Sequence, residues 1–167
     1  MSKLYIKQQV LSAVDKFTVK DEFQEDRFIV QGDFLTVGGK KLHIKDMSGR
    51  ELAMVQQKLL SLMPKFFVLI NGVQAAEIKK KLALFGSKYI VEGPGWTVKG
   101  SILQHDYTFL SGSKEVMRLH KVWLSWGDSY ELEIDDDADT LMALACVLAI
   151  DCVLEAEAQS HSESDHD

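Results

Sequence analysis

Leu141-Met142-Ala143-Leu144-Ala145-Cys146-Val147-Leu148-Ala149-Ile150, followed by Asp151 and then Cys152-Val153-Leu154, is the stretch on which the fold turns. Its apolar residues follow no 3.6-residue stripe, so a helix built from it is hydrophobic on every face and has to be surrounded. The acidic run before it, Asp135, Asp136, Asp137 and Asp139 with Thr140, supplies N-cap side chains and negative charge where a helix N-terminus is partly positive. The spacing predicts a helix over about 138–157. A membrane span is not expected: 141–154 at 1.5 Å per residue reaches only about 21 Å, short of a hydrocarbon core of about 30 Å, and an aspartate interrupts it.

What surrounds the helix is written in the first 134 residues. A short pattern recurs there with some variation at its polar positions, an apolar cluster, a Ser or Thr, a turn, then Lys and an aromatic. It runs Val10-Leu11-Ser12-Ala13-Val14-Asp15-Lys16-Phe17, then Leu59-Leu60-Ser61-Leu62-Met63-Pro64-Lys65-Phe66, Leu82-Ala83-Leu84-Phe85-Gly86-Ser87-Lys88-Tyr89 and Trp123-Leu124-Ser125-Trp126-Gly127-Asp128-Ser129-Tyr130. A looser copy begins at Phe34. Flanking segments such as Lys16-Phe17-Thr18-Val19-Lys20 and Lys41-Leu42-His43-Ile44-Lys45 alternate polar and apolar residues, and turns such as Asn71-Gly72 and Gly93-Pro94-Gly95 separate them. About twelve strands result, near 3–12, 15–22, 26–36, 40–46, 51–62, 65–71, 74–85, 88–92, 96–104, 106–111, 115–125 and 129–134. Joined by short loops, they predict a β-rich (α+β) fold: a closed antiparallel barrel, too wide to be filled by its own side chains, wrapped around the C-terminal helix. A single domain is expected over 1–158, and 159–167, rich in Ser, His and Asp, reads as a disordered polar tail.

The repeated hairpins, the Gly93-Pro94-Gly95-Trp96 turn leading into Thr97-Val98-Lys99-Gly100, the Trp126-Gly127-Asp128-Ser129-Tyr130 turn and the closing Ala149-Ile150-Asp151-Cys152-Val153-Leu154 segment resemble the LURP-one-related family of the tubby-like superfamily, from about Tyr5 to Leu154. The resemblance implies the same barrel around a hydrophobic helix. About function it implies little, because relatives range from plant defence-associated proteins to phosphoinositide-binding tubby proteins and phospholipid scramblases. No lipid-binding residue of tubby proteins is carried over to a position of this chain.

Charge is unevenly spread. The 167 residues hold 19 Lys+Arg and 25 Asp+Glu, a net −6. Residues 135–167 contribute 10 acidic and no basic residues, so 1–134 carries about +4. A barrel of that charge has room for an anionic partner, although the acidic average argues against a nucleic-acid coat. Lys79, Lys80 and Lys81 with Lys88 and Lys99 form the densest basic cluster, either a solvated edge or a patch for phosphate or anionic lipid headgroups. Alternation sends Lys79 and Lys81 to one face and Lys80 to the other.

Other candidates carry less chemistry. His105-Asp106 beside Tyr107 reads as a turn, since no nucleophile or scissile-bond motif accompanies it. His43 and His120 lie on other strands without metal-ligand spacing, and the Asp135–Asp139 run lacks the glycine and distal glutamate of a calcium loop. Gly93-x-Gly95 is not a dinucleotide fingerprint. Asp151 is expected near the far mouth of the barrel, capped by backbone amides or a lysine, or else as a polar contact fixing the helix or part of a small ligand site. Cys146 and Cys152 read as buried reduced thiols. No cofactor, metal or catalytic residue is expected. An uncharacterised hydrolase is the remote enzymatic alternative.

The start of the chain, Met1 to Gln9, breaks each apolar run with a charge, unlike a secretory leader, and a cytoplasmic address is the expectation. The function expected is a non-catalytic tubby-like binding or scaffold module, the alternative a peripheral membrane protein on anionic phospholipid, with or without scramblase-like activity.

Overall fold

The computed structural model describes residues 1–7, 16–33, 38–82, 87–125, 127–136 and 138–164. Among them are twelve strands and one helix. The strands are β1 (Ser2–Lys7), β2 (Lys16–Asp21), β3 (Asp26–Asp33), β4 (Lys41–Lys45), β5 (Glu51–Gln57), β6 (Lys65–Ile70), β7 (Val73–Leu82), β8 (Ser87–Glu92), β9 (Trp96–Ser101), β10 (Asp106–Ser111), β11 (Lys114–Leu124) and β12 (Gly127–Ile134). Each pairs antiparallel with its sequence neighbour, and β1 pairs with both β2 and β12, which closes the barrel. Among the described residues no edge strand is left to pair with another chain.

Alternation sorts the side chains. Ile6, Val19, Val30, Ile44, Val55, Phe66, Val68, Ile78, Val91, Phe109, Leu119, Leu132 and Ile134 all point inward and are fully buried. They close on helix α1 (Thr140–Ser164), whose residues 143–153 are buried on every side. An apolar helix of about 10–12 Å diameter fills the lumen that twelve strands leave open. Asp139 caps it: its Oδ1 accepts from the Met142 amide at 2.7 Å, and its carbonyl from Ala143 at 2.9 Å. Asp135 pairs with Lys114 at 3.1 Å, and Asp136 with the chain's amino terminus, so these acids hold the crossing from β12 into the helix.

Two turns show how local chemistry fixes the register. Asn71 and Gly72 both have positive φ, 49° and 79°, as a type I′ hairpin between β6 and β7 requires. Gly93, at φ 112°, brings the β8–β9 turn so close to β7 that a Cβ there would stand 2.2 Å from the Ala75 carbonyl oxygen.

Among the described residues three boundaries differ from the sequence reading by three residues or more. β5 stops at Gln57 rather than 62, because Leu60 adopts φ 58° and Pro64 withholds an amide, leaving 58–64 as a loop closed by a Lys58 N–H to Lys65 carbonyl bond of 2.9 Å. β9 stops at Ser101 rather than 104, where 102–105 turn back with the His105 amide bonded to the Ile102 carbonyl at 3.0 Å. The helix starts at Thr140 and runs to Ser164, through most of the segment expected to be a disordered tail. Ala156, Glu157, Ala158 and Gln159 are strong helix formers, and the Ser160 and Ser162 hydroxyls donate back to the carbonyls of Glu157 and Gln159, both at 2.8 Å. The expected strand ends at 8–12, 34–36 and 83–85, Asp137 and residues 165–167 lie outside the described residues.

Candidate functional site

An up-and-down barrel sends every second connection to the same end. The β3–β4, β5–β6, β7–β8 and β9–β10 connections therefore share one end, and α1, which follows β12 in at the other, emerges there. The lysines collect at this end. Lys79, on the outer face of β7, is held by Glu92, whose carboxyl it keeps below the ordinary value. Lys80 turns inward beneath the barrel rim, where its Nζ lies 2.8 Å from Glu157 of α1 and 6.0 Å from the centre of the Tyr89 ring. Lys81 stands directly opposite Lys88 in the β7–β8 ladder, both exposed, and Lys99 is exposed on β9. Alternation thus splits the run 79–81 as its spacing requires. Lys80 joins the helix, while the others face outward.

The cluster continues onto a loop that sequence periodicity assigned to a strand. Lys58 and Lys65 flank the β5–β6 loop, and with Lys79, Lys80, Lys81, Leu60, Leu62 and Leu82 they line a depression of about 650 Å³. Leu60 and Leu62 are 108% and 106% exposed, with Leu82 at 79% and Leu59 at 50%. Four solvated leucines beside five lysines are costly in water and make this end of the barrel both apolar and basic. Pro64 marks the turn in the sequence, but nothing there shows that the loop already begins after Gln57.

Asp151 lies deeper at the same end. It is buried, and its Oδ1 is 3.1 Å from Nε2 of His105, which projects inward from the β9–β10 turn. His105 takes φ 53° and stacks on Tyr130 with 4.6 Å between ring centres. The helix is therefore fixed by a turn histidine rather than by backbone amides or a lysine. Burial raises the Asp151 carboxyl above the ordinary aspartate value, against the lowering effect of His105. Among the described residues neither Asp151 Oδ2 nor the buried Tyr107 hydroxyl has a hydrogen-bond partner. Burial also lifts the Tyr130 hydroxyl to about 12 and the Cys152 thiol to about 12, while Cys146, likewise free and buried, is raised for the same reason.

His43, His105 and His120 do not converge. His43 on β4 is held between Asp33, at 3.0 Å, and Glu51. His120 on β11 faces Glu131 of β12 at 3.5 Å on the barrel's outer face. His120, Glu131 and Glu133 bring three potential ligand atoms within 4.8 Å of one another. The position between the two carboxylates belongs to Lys3, whose Nζ is 2.9 Å from Glu131 and 3.0 Å from Glu133. Burial pushes Glu131 up, but bonds from Tyr5 and Lys3 outweigh it and hold the carboxyl below the ordinary glutamate value.

Among the described residues no helix is long and apolar enough to cross a membrane.

Comparison with known proteins agrees with this architecture. The family described as LURP-one-related matches residues 2–151. The uncharacterized protein YxjI of Bacillus subtilis (strain 168) is 34% identical over 154 residues, covering 92% of this chain and 94% of that protein. An X-ray structure of a protein from Arabidopsis thaliana superposes with a TM-score of 0.65 over 92% of this chain and 91% of that one. At 15% identity that likeness concerns the fold alone.

Proposed function

The chain belongs to the LURP-one-related family, and from that premise we propose that it is a non-catalytic binding module whose lysine- and leucine-rich end docks on anionic phospholipid bilayers. The inside of the barrel is taken up by its own helix, so recognition falls to the surface. The observation that carries the reading is the exposed Leu59, Leu60 and Leu62 among Lys58, Lys65, Lys79 and Lys81. Each lysine near an anionic leaflet contributes about 1 kcal/mol of attraction, and leucines entering the headgroup boundary add apolar burial that a purely basic patch lacks.

Sedimentation with phosphatidylcholine vesicles, with and without phosphatidylserine, tests the proposal. The protein is expected to pellet only with the anionic vesicles and to be released by high salt, as screening requires. The double variant L60S/L62S should bind at least several-fold more weakly while its circular dichroism stays unchanged. No pelleting with anionic vesicles at low salt, even with the acidic residues at the end of α1 neutralised, would remove the reading.

A further inference from the structure

The helix does more at this end than close the barrel. Beyond the buried stretch it emerges carrying Glu155 and Glu157, and both are held by lysines of the basic end. Glu157 Oε1 lies 2.8 Å from Lys80 Nζ, and its Oε2 is 3.5 Å from the Tyr89 hydroxyl. Glu155 pairs with Lys40, before β4. All four side chains are less than one-third exposed. Lys80 is thus the inward member of the lysine run, and a carboxylate of the same chain already sits where an anion would bind. Beside Glu157 a cleft of about 230 Å³ opens, walled by Lys80, Tyr89, Ser101 and Leu154. The Tyr89 hydroxyl is held up to about 12 by burial and by Glu157, which fits a donor committed to an anion.

We propose that Glu155 and Glu157 are an internal competitor: the helix end occupies Lys40 and Lys80, and the phosphate groups of an anionic bilayer displace it. The inference rests on the docking reading above and adds its regulation. Binding then includes exchange of a carboxylate for a phosphodiester at Lys80, with the cleft beside Glu157 receiving the incoming group. Residues 155–167 contain 5 acidic and no basic residues, so the released segment is also repelled by the surface that replaces it.

The test uses the full chain. E155Q/E157Q removes the competing charges and keeps hydrogen-bonding side chains in place. E25Q/E115Q makes the same change in net charge at the opposite end, where Glu25 and Glu115 are exposed. With phosphatidylserine vesicles at low salt, E155Q/E157Q is expected to reach half-binding at no more than about one-fifth of the lipid the unmodified protein needs, since each of the two lysines released to the surface contributes about 1 kcal/mol. E25Q/E115Q should change much less. Binding by E155Q/E157Q where the unmodified protein shows none supports the competitor in full. If the unmodified protein binds and E155Q/E157Q is no tighter, or the two double variants gain equally, the competitor is overturned and docking stands. If neither the unmodified protein nor E155Q/E157Q binds, docking itself fails. E157Q alone, which leaves the Lys40 contact intact, gives the same readings should the double variant misfold.

Discussion

His105 Nε2 lies 3.1 Å from Oδ1 of Asp151, a contact across 46 residues that ties the β9–β10 turn to the helix inside the barrel. Its histidine is fixed by a left-handed backbone and by stacking on Tyr130, whereas its aspartate keeps one buried oxygen without a partner among the described residues. The pair fixes the helix at a cost, because a carboxylate is desolvated with only one compensating bond.

That cost has a sign in pH. Burial first, offset in part by His105 and Lys40, leaves the folded-state value of Asp151 raised. Between the ordinary aspartate value and the raised one, the folded protein holds a proton that the unfolded chain has released. Stability attributable to this group is therefore full below the ordinary value, falls as pH rises through the window, and levels off above the folded value. Asp151→Asn keeps a hydrogen bond to His105 and removes the titration. It should flatten that fall and make the protein more stable by about 1 kcal/mol at pH 7. Urea unfolding from about pH 4 to 7 measures it; a variant less stable than the parent across this range would mean that the carboxylate is charged and well paired.

How the fold was legible, and where it was not, follows from the range of the forces involved. Alternation in segments such as Lys41–Lys45 and the all-round apolar 141–150 report burial locally, and burial decides both strand and helix here. The leucine loop misled because Leu59-Leu60-Ser61-Leu62-Met63 has the composition of a buried strand yet is solvated. A purely local reading assigns apolar residues to the core and cannot see that a loop leaves them in solvent. The pairs His105–Asp151 and Lys80–Glu157 join residues 46 and 77 apart, and they depend on how far α1 slides along the barrel, which packing sets. Lys80 was separable from Lys79 and Lys81 by the two-residue period, but its partner was not.

Helix packing gives a sharper test of the architecture. Leu148 is 1% exposed at the barrel axis, surrounded on all sides. Leu148→Ala should cost about 2–5 kcal/mol through lost burial and the cavity it leaves. Leu148→Asp should abolish folding, since a charge there has no partner. Circular dichroism and thermal melting check both, and a soluble Asp variant with the parent spectrum would mean that α1 is not the core.

The two turn glycines should respond unequally to the same change. Gly72→Ala meets nothing within 4 Å and only the discomfort of φ 79°, so about 1 kcal/mol is expected. Gly93→Ala combines φ 112° with a Cβ 2.2 Å from a backbone oxygen of β7, and the strand must move; more than about 2 kcal/mol is expected. Equal losses in urea unfolding would show that the β8–β9 turn lies further from β7.

Lys81 and Lys88 face each other across the β7–β8 ladder, both exposed. Like charges in that relation are unfavourable, and a protein selected for stability alone has no reason to keep them. Lys81→Glu turns repulsion into attraction and should raise stability by about 0.5 kcal/mol. The same variant replaces a positive charge with a negative one beside Leu82 and the β5–β6 loop, so binding to phosphatidylserine vesicles at low salt should fall by about tenfold or more. Urea unfolding and vesicle sedimentation on one preparation read the two effects, which move in opposite directions only if the repulsion is retained for an anionic partner. A more stable Lys81→Glu variant that binds vesicles as the parent does would take Lys81 out of the docking face and leave Lys58, Lys65 and Lys79 to carry it.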